Sequence, residues 1–285
     1  MPQLLLAMCL LAEPSSDGAA KPAQSATEYL RAEYLTDAEK YEFGSGDEQA
    51  QRLELVAKPV MTWANDDDWS GDVFVWMHKG QPAVIGSILA GPAGTANRNV
   101  FHEFHLLAEK PIAGADLQTH RRWQPAEGLV RTIITDAPKP AANAPARLTQ
   151  MRQLSREFSA HMEASGAWEL RLLTQPLFRY GDAHGSVIDG ALFAYVWTKG
   201  TDPEVILMLE CHKTDAGLAW LYAPVRFSNR SVWMRRQARE IWRVESHKEP
   251  SDKNTTLLYT TAYARTMPRA APPAEAPASQ VLPQP

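Results

Sequence analysis

Two Glu-x-His pairs are the residues best spaced to do chemistry: Glu103-Phe104-His105 and Glu210-Cys211-His212. Both fall in stretches whose β-branched and aromatic content predicts strands. Residues two apart on a strand share a face and stand roughly 7 Å from each other. At that separation a carboxylate and an imidazole can share a transition metal, or the carboxylate can orient the imidazole as a base. His102 falls on the opposite face, and the run His102-Glu-Phe-His105 lacks the two-residue spacer of the helical zinc-protease motif. Ordinary polar pairs at strand ends are the competing reading.

A second constellation is the acidic loop Asn65–Asp72, in which Asp66, Asp68 and Ser70 alternate ahead of Gly71. Oxygens at alternating positions before a glycine let a tight loop aim several ligands at Ca²⁺. The twelfth position counted from Asp66 is Met77, so the loop is no EF-hand, and a solvated Asp-rich turn is the alternative. The most basic stretch runs from Arg226 to Arg243, where Arg235, Arg236 and Arg239 lie near Trp233 and Trp242. Arginines interleaved with aromatic rings suit an anionic, planar ligand; a solvated connector is the competing reading. Cys211 adjoins His212, but neighbours on a strand face opposite ways, so the expectation is a buried free thiol rather than a dyad. No nucleophile elbow, phosphate loop, dinucleotide fingerprint or C-x-x-C is present.

The elements that must position these residues are mostly strands. Leu30, Tyr34 and Tyr41 follow capping boxes at Ser25–Glu28 and Thr36–Glu39, which predicts one or two short helices before Gly44. Strands are expected at 52–63, 71–79, 82–90 and 99–108, with a weaker one near 129–135. Residues 136–146 read as a Pro/Ala linker. Leu148, Met151, Leu154, Phe158 and Met162 recur three or four apart and predict a helix over 147–164. Strands resume at 168–180, 190–198, 204–212, 218–227, 240–246 and 257–264.

The second half echoes the first. Leu53, Leu55, Val56, Pro59, Val60 and Trp63 align without a gap on Leu170, Leu172, Leu173, Pro176, Leu177 and Tyr180, and Lys79-Gly80 and Lys199-Gly200 follow at similar distances. A unit this long is no solenoid repeat. The expected fold is therefore α+β: two tandem repeats, 27–135 and 147–265, each a mainly antiparallel sheet preceded by a helix, in a pseudo-two-fold arrangement. A ligand would lodge in the seam between them, unless the seam is simply filled core.

The ends differ in kind. Residues 1–12 include an apolar run of signal-peptide length without a basic leader, 13–26 read as a flexible tether, and 266–285 as a disordered Pro/Ala tail. Export to the periplasm or cell envelope is the expectation, with a cytoplasmic location as the alternative; no transmembrane segment is expected. Of 285 residues, 45% are apolar and nine are Trp, which suffices for a core, and the formal charge of −4 argues against nucleic acid as a partner. The only cysteines are Cys9 and Cys211, so loss of the leader would leave no disulfide.

The strings 147–162 (RLTQMRQLSREFSAHM), 170–180 (LRLLTQPLFRY) and 189–210 (DGALFAYVWTKGTDPEVILMLE) resemble a family of uncharacterised exported proteins associated with planctomycete bacteria. The resemblance covers most of 50–245, implies export, and carries no activity, cofactor or catalytic residue. The functional expectation is a non-enzymatic binding or structural module with an anionic ligand or an envelope protein as partner. The alternative is a metal-assisted hydrolase using Glu103, His105, Glu210 and His212.

Overall fold

The structure, a computed structural model, describes residues 25–44, 51–113, 115–117, 121–182, 185–248 and 254–270. The expected leader, most of the tether, Cys9 and most of the tail lie outside these residues. The elements in chain order are α1 (Ala26–Glu39), β1 (Glu54–Leu55), β2 (Met61–Ala64), β3 (Ser70–His78), β4 (Gln81–Ala93), β5 (Asn97–Leu106), β6 (Ala115–Leu117), β7 (Arg121–Trp123) and β8 (Thr132–Ile133). There follow α2 (Ala144–Ser155), β9 (Phe158–Glu163), β10 (Ala167–Leu172), β11 (Phe178–Tyr180), β12 (Val187–Val196), β13 (Pro203–Thr214), β14 (Gly217–Arg226), β15 (Val232–Arg236), β16 (Arg239–Val244), β17 (Asn254–Thr255) and β18 (Tyr259–Pro268). The chain is thus mostly β, with two short helices, rather than an even α+β mixture. Among the described residues no helix is long and apolar enough to cross a membrane.

Two antiparallel sheets dominate. The first runs β1-β3-β4-β5-β18 with β2 also on β3; the second runs β16-β15-β9-β10-β12-β13-β14-β8 with β11 also on β12. A small third sheet orders β17-β7-β6. Alternation along the central strands fixes the layers. Phe74, Trp76 and Val84 face a core shared with Tyr34 and Ala38 of α1. Their neighbours Val73, Val75 and Ile85 face the opposite way and meet Leu192, Ala194, Ile206 and Met208 of the second sheet. Phe193, Tyr195, Leu207 and Leu209 complete the pattern beneath Met151 and Leu154 of α2. The layers are therefore α1, first sheet, second sheet, α2, and most of the seam is packed core.

The central strands of the two sheets pair in a similar register, although β9, β15 and β16 extend the second sheet alone. Met61 pairs Val73 and Trp63 pairs Gly71; correspondingly, Phe178 pairs Leu192 and Tyr180 pairs Gly190. Leu55 opposes Trp76 as Leu172 opposes Tyr195. Both hairpins shift register at the same place, between Trp76 and Met77 and between Tyr195 and Val196, where Pro82 and Pro203 enter. Pro59 and Pro176 interrupt the preceding strand, because proline cannot donate to the ladder. Pairing resumes beyond each, with Val60 N–H to Val73 O at 2.8 Å and Leu177 N–H to Leu192 O at 2.7 Å. The last strand of each half then crosses over: β8 pairs with β14 of the second sheet, and β18 with β5 of the first.

Several expectations change. The helix predicted over 147–164 stops at Ser155, and Phe158–Glu163 is a strand with Phe158, Ala160 and Met162 buried. Residues four apart share a face in a strand as well as in a helix, so Phe158 and Met162 fit either period. The N-terminal region is one helix with the Ser25–Glu28 capping box, and Thr36–Glu39 lies inside it. The 136–146 linker is fastened to α2, with Ala141 N–H donating to Gln150 at 2.8 Å and Arg147 donating to the Ala142 carbonyl at 2.8 Å. Lys79 and Gly80, at φ 48° and 77°, form a two-residue hairpin turn. Lys199-Gly200 instead opens a longer loop, whose Gly200 forms a bridge to Asn65 of the first half.

A Cβ on Gly71 would stand 2.8 Å from the Trp63 ring, and one on Gly190 would stand 2.5 Å from the Tyr180 ring. Gly71→Ala and Gly190→Ala should each destabilise the protein by about 1–3 kcal/mol. Urea unfolding monitored by circular dichroism reads this, and unchanged midpoints would mean the rings have room to move.

Candidate functional site

The two Glu-x-His pairs have different fates. Glu210 and His212 lie on β13, and the His212 Nε2 to Glu210 Oε2 distance is 2.8 Å, so the carboxylate–imidazole contact that the spacing allows is made. Tyr180 donates its hydroxyl to the other Glu210 oxygen at 2.7 Å, and Arg131 Nε approaches Oε2 at 3.1 Å. Burial alone would raise this carboxyl, but the bonds from His212, Arg131 and Tyr180 outweigh it and hold it below its ordinary value. Arg131 is engaged through all three of its nitrogens. It donates to the carbonyls of Leu129 at 2.9 Å and Leu107 at 2.8 Å, and lies 3.4 Å from Glu109. This end of the seam is sealed by one guanidinium.

Glu103 and His105 lie on β5 without bonding each other. Tyr259 of β18 donates to Glu103, while His105 Nδ1 is 2.7 Å from the Leu106 carbonyl. Glu103 lines one cavity and His105 another, and Tyr259 borders both. Burial depresses the His105 imidazole to about 4 and does the same to His247 across its cavity, so both rings are neutral near pH 7. His102 faces the other way, as expected, and joins Asp37 of α1 at 3.2 Å.

The remaining sequence candidates do not assemble sites. Asp68 is engaged by Arg98 at 3.1 Å and Arg269 at 2.6 Å, and the Ser70 hydroxyl by Tyr34 at 3.1 Å, while Asp66 is exposed. Among the described residues no three His, Cys, Asp or Glu side chains are grouped to hold a metal ion. In the calcium reading of Asp66, Asp68 and Ser70, the central carboxylate Asp68 is taken up by two arginines. Arg235 and Arg236 are consecutive on β15 and face opposite ways. Arg236 pairs with Glu157 at 2.6 Å and Asp136 at 2.6 Å, and Arg239 sits across the turn from it. The three arginines do not converge on one anion. Cys211 is buried and free, its thiol pushed up to about 11 by burial.

The cavity beside Glu103 is the distinctive site. It holds about 360 Å³ between the two sheets and is lined by Glu103 from β5, Glu204 from β13 and Asp202 just before it, with the exposed Asp67 as a fourth carboxylate. Trp69, Trp197 and Tyr259 supply aromatic walls, and Arg230 lies over the Trp197 ring at 4.8 Å. Burial is the main cause pushing the Glu103 carboxyl up to about 7; Tyr259 opposes the shift, Glu204 adds to it and Arg226 opposes it. Asp202 is raised well above its ordinary value by burial, then by Glu204 and Glu103. Burial likewise raises Glu204, against Ser228 and Arg230. Acids crowded into one desolvated space each hold their protons more tightly than in water.

Sequence reasoning placed Glu103 in a pair with His105 and missed Asp202, Glu204, Thr261 and Tyr259. The one local signal was Asp202-Pro-Glu204, two acids on one face at the mouth of an apolar strand. Neither a family model nor a curated protein nor a solved structure matches the chain.

Because the folded-state pKa of Glu103 lies above its unfolded value, its contribution is present below pH 4.5 and is lost as pH rises to about 7. Glu103→Gln should match wild type in acid and exceed it above pH 7 by up to about 3 kcal/mol. Urea unfolding at pH 4.5 and 8 measures the difference, and an offset independent of pH would contradict the assignment.

Proposed function

We propose that this chain is a non-enzymatic binding module built from two fused copies of one unit, with its ligand in the open cavity at the seam. The duplication is supported by the shared strand order, the equivalent pairings of Trp63–Gly71 and Tyr180–Gly190, and the shared register shifts before Pro82 and Pro203. Export remains part of the reading, on the strength of the apolar run at 4–12 and the family resemblance.

One observation carries the binding assignment: most of the seam is packed core, yet a cavity of about 360 Å³ stays open where Glu103, Asp202 and Glu204 meet aromatic rings. A protein interior fills such volumes unless something else occupies them. Unpaired carboxylates in a desolvated space are also unfavourable without a ligand. The hydrolase alternative has weaker support. Glu210 is taken up by Arg131, Tyr180 and His212, and Glu103 and His105 face separate cavities.

Thr261→Arg tests the reading by filling the cavity from β18. The variant should fold, melt several degrees higher as the new guanidinium meets the carboxylates, and lose ligands that wild type binds. Ligand-observed NMR against a panel of small cations, sugars, amino acids and carboxylates gives the comparison. A panel silent toward wild type, or hits retained by the variant, would overturn the assignment.

A further inference from the structure

The sealed and the open ends of the seam are the same place in the two halves. On β8, Ile133 and Thr132 oppose Leu221 and Tyr222; on β18, Tyr263 and Ala262 oppose Phe101 and His102. Continuing that register by one residue sets Arg131 in correspondence with Thr261. The other hairpin registers make Leu107 correspond to Phe227, Leu129 to Tyr259 and Glu210 to Leu89. Leu107, Leu129 and Glu210 are the groups that Arg131 bonds at the sealed end. Phe227, Tyr259, Leu89 and Thr261 all line the open cavity. The cavity is therefore the space that the Arg131 side chain fills in the other half, left vacant because threonine is too short to reach it.

The vacancy keeps the charge to hold a cation. Glu210 has become Leu89, but Glu103 and Glu204 stand where the sealed end has Ala223 and Ala83, and Asp202 where it has Gln81. Against these three acids the wall offers one cationic side chain, Arg230, which lies across the Trp197 ring. Arg226 stands behind Tyr259 and donates to the carbonyls of Ser228 at 2.5 Å and Arg230 at 2.7 Å. The acids thus outnumber the bases, and Trp69 and Tyr259 add faces on which a planar cation can stack.

We propose that the open cavity binds a guanidinium group supplied from outside the chain, held by Glu103, Glu204 and Asp202 in place of the internal Arg131 of the other half. This rests on the binding reading above and names its ligand chemistry. Guanidinium fits better than a metal ion, for which the described residues offer no ligand cluster. The group can come from a free small molecule or from an arginine side chain of a peptide; the chemistry is common to both.

Binding should displace protons. Glu103 is faced by Tyr259 of β18, Glu204 of β13, Asp202 ahead of it, Arg226 of β14 and Arg230 beyond it. With its carboxyl at about 7, a cation that requires the ionised form binds more tightly as pH rises, by up to tenfold per unit below that value.

The test is isothermal titration of the full chain, at matched ionic strength, with ethylguanidinium, with acetyl-Gly-Arg-Gly-amide, and with two controls. The controls are propylammonium and the citrulline peptide, in which a neutral urea replaces the guanidinium. The expected result is binding by at least one guanidinium probe, with the stronger of the two identifying the source. The citrulline peptide should bind at least tenfold more weakly than its arginine counterpart. Affinity should fall tenfold or more in Glu103→Gln and Glu204→Gln, vanish in Thr261→Arg, and rise between pH 6 and 8; circular dichroism checks that each variant is folded. Equal binding of the citrulline peptide, or no guanidinium binding, overturns the inference. If other panel compounds then still bind in a manner abolished by Thr261→Arg, the binding reading stands without it. If nothing binds, both fall.

Discussion

The central strands β3, β4, β12 and β13 are apolar on both faces, and the rest of the molecule answers that constraint. A strand buried on one face only can leave the other to water; these cannot. Each sheet must be covered twice, once by a helix and once by its counterpart. Val73, Val75, Leu192 and Ala194 meet across the seam, while Phe74 and Phe193 turn outward beneath α1 and α2. The rim of this packing is where polar chemistry can collect. Strand ends and loops there bring carboxylates next to the apolar interior.

Two solutions to a buried carboxylate occur at that rim. Glu210 receives a guanidinium, a phenol and an imidazole, which satisfy it. Glu103 receives Tyr259 alone and faces two further acids, so it is held toward its protonated form. Desolvation is similar in the two cases; the number of donors decides between them. Arg131 is the donor that Glu210 has and Glu103 lacks.

The legible parts of the fold were local ones. Strands were expected over 52–63 and 168–180; each is present but broken in two around Pro59 and Pro176. Strand Phe158–Glu163 was read as helix because its apolar residues satisfy both periods. The exchange of β8 and β18 was invisible, since pairing across the chain leaves no mark within either segment. The site was hidden for a related reason. Thr261 matters through what it fails to fill, and Glu204 meets Glu103 only once the sheets are stacked.

That exchange also shapes how the chain can emerge from the ribosome. The first sheet's β5 edge takes its partner from Tyr259–Pro268, which is made after every other described strand. Until then the nascent first half presents an unpaired ladder beside an uncovered apolar face, the kind of edge on which chains pair wrongly. Completion of the first sheet is therefore tied to synthesis of Tyr259–Pro268, far along the chain from the strands it joins.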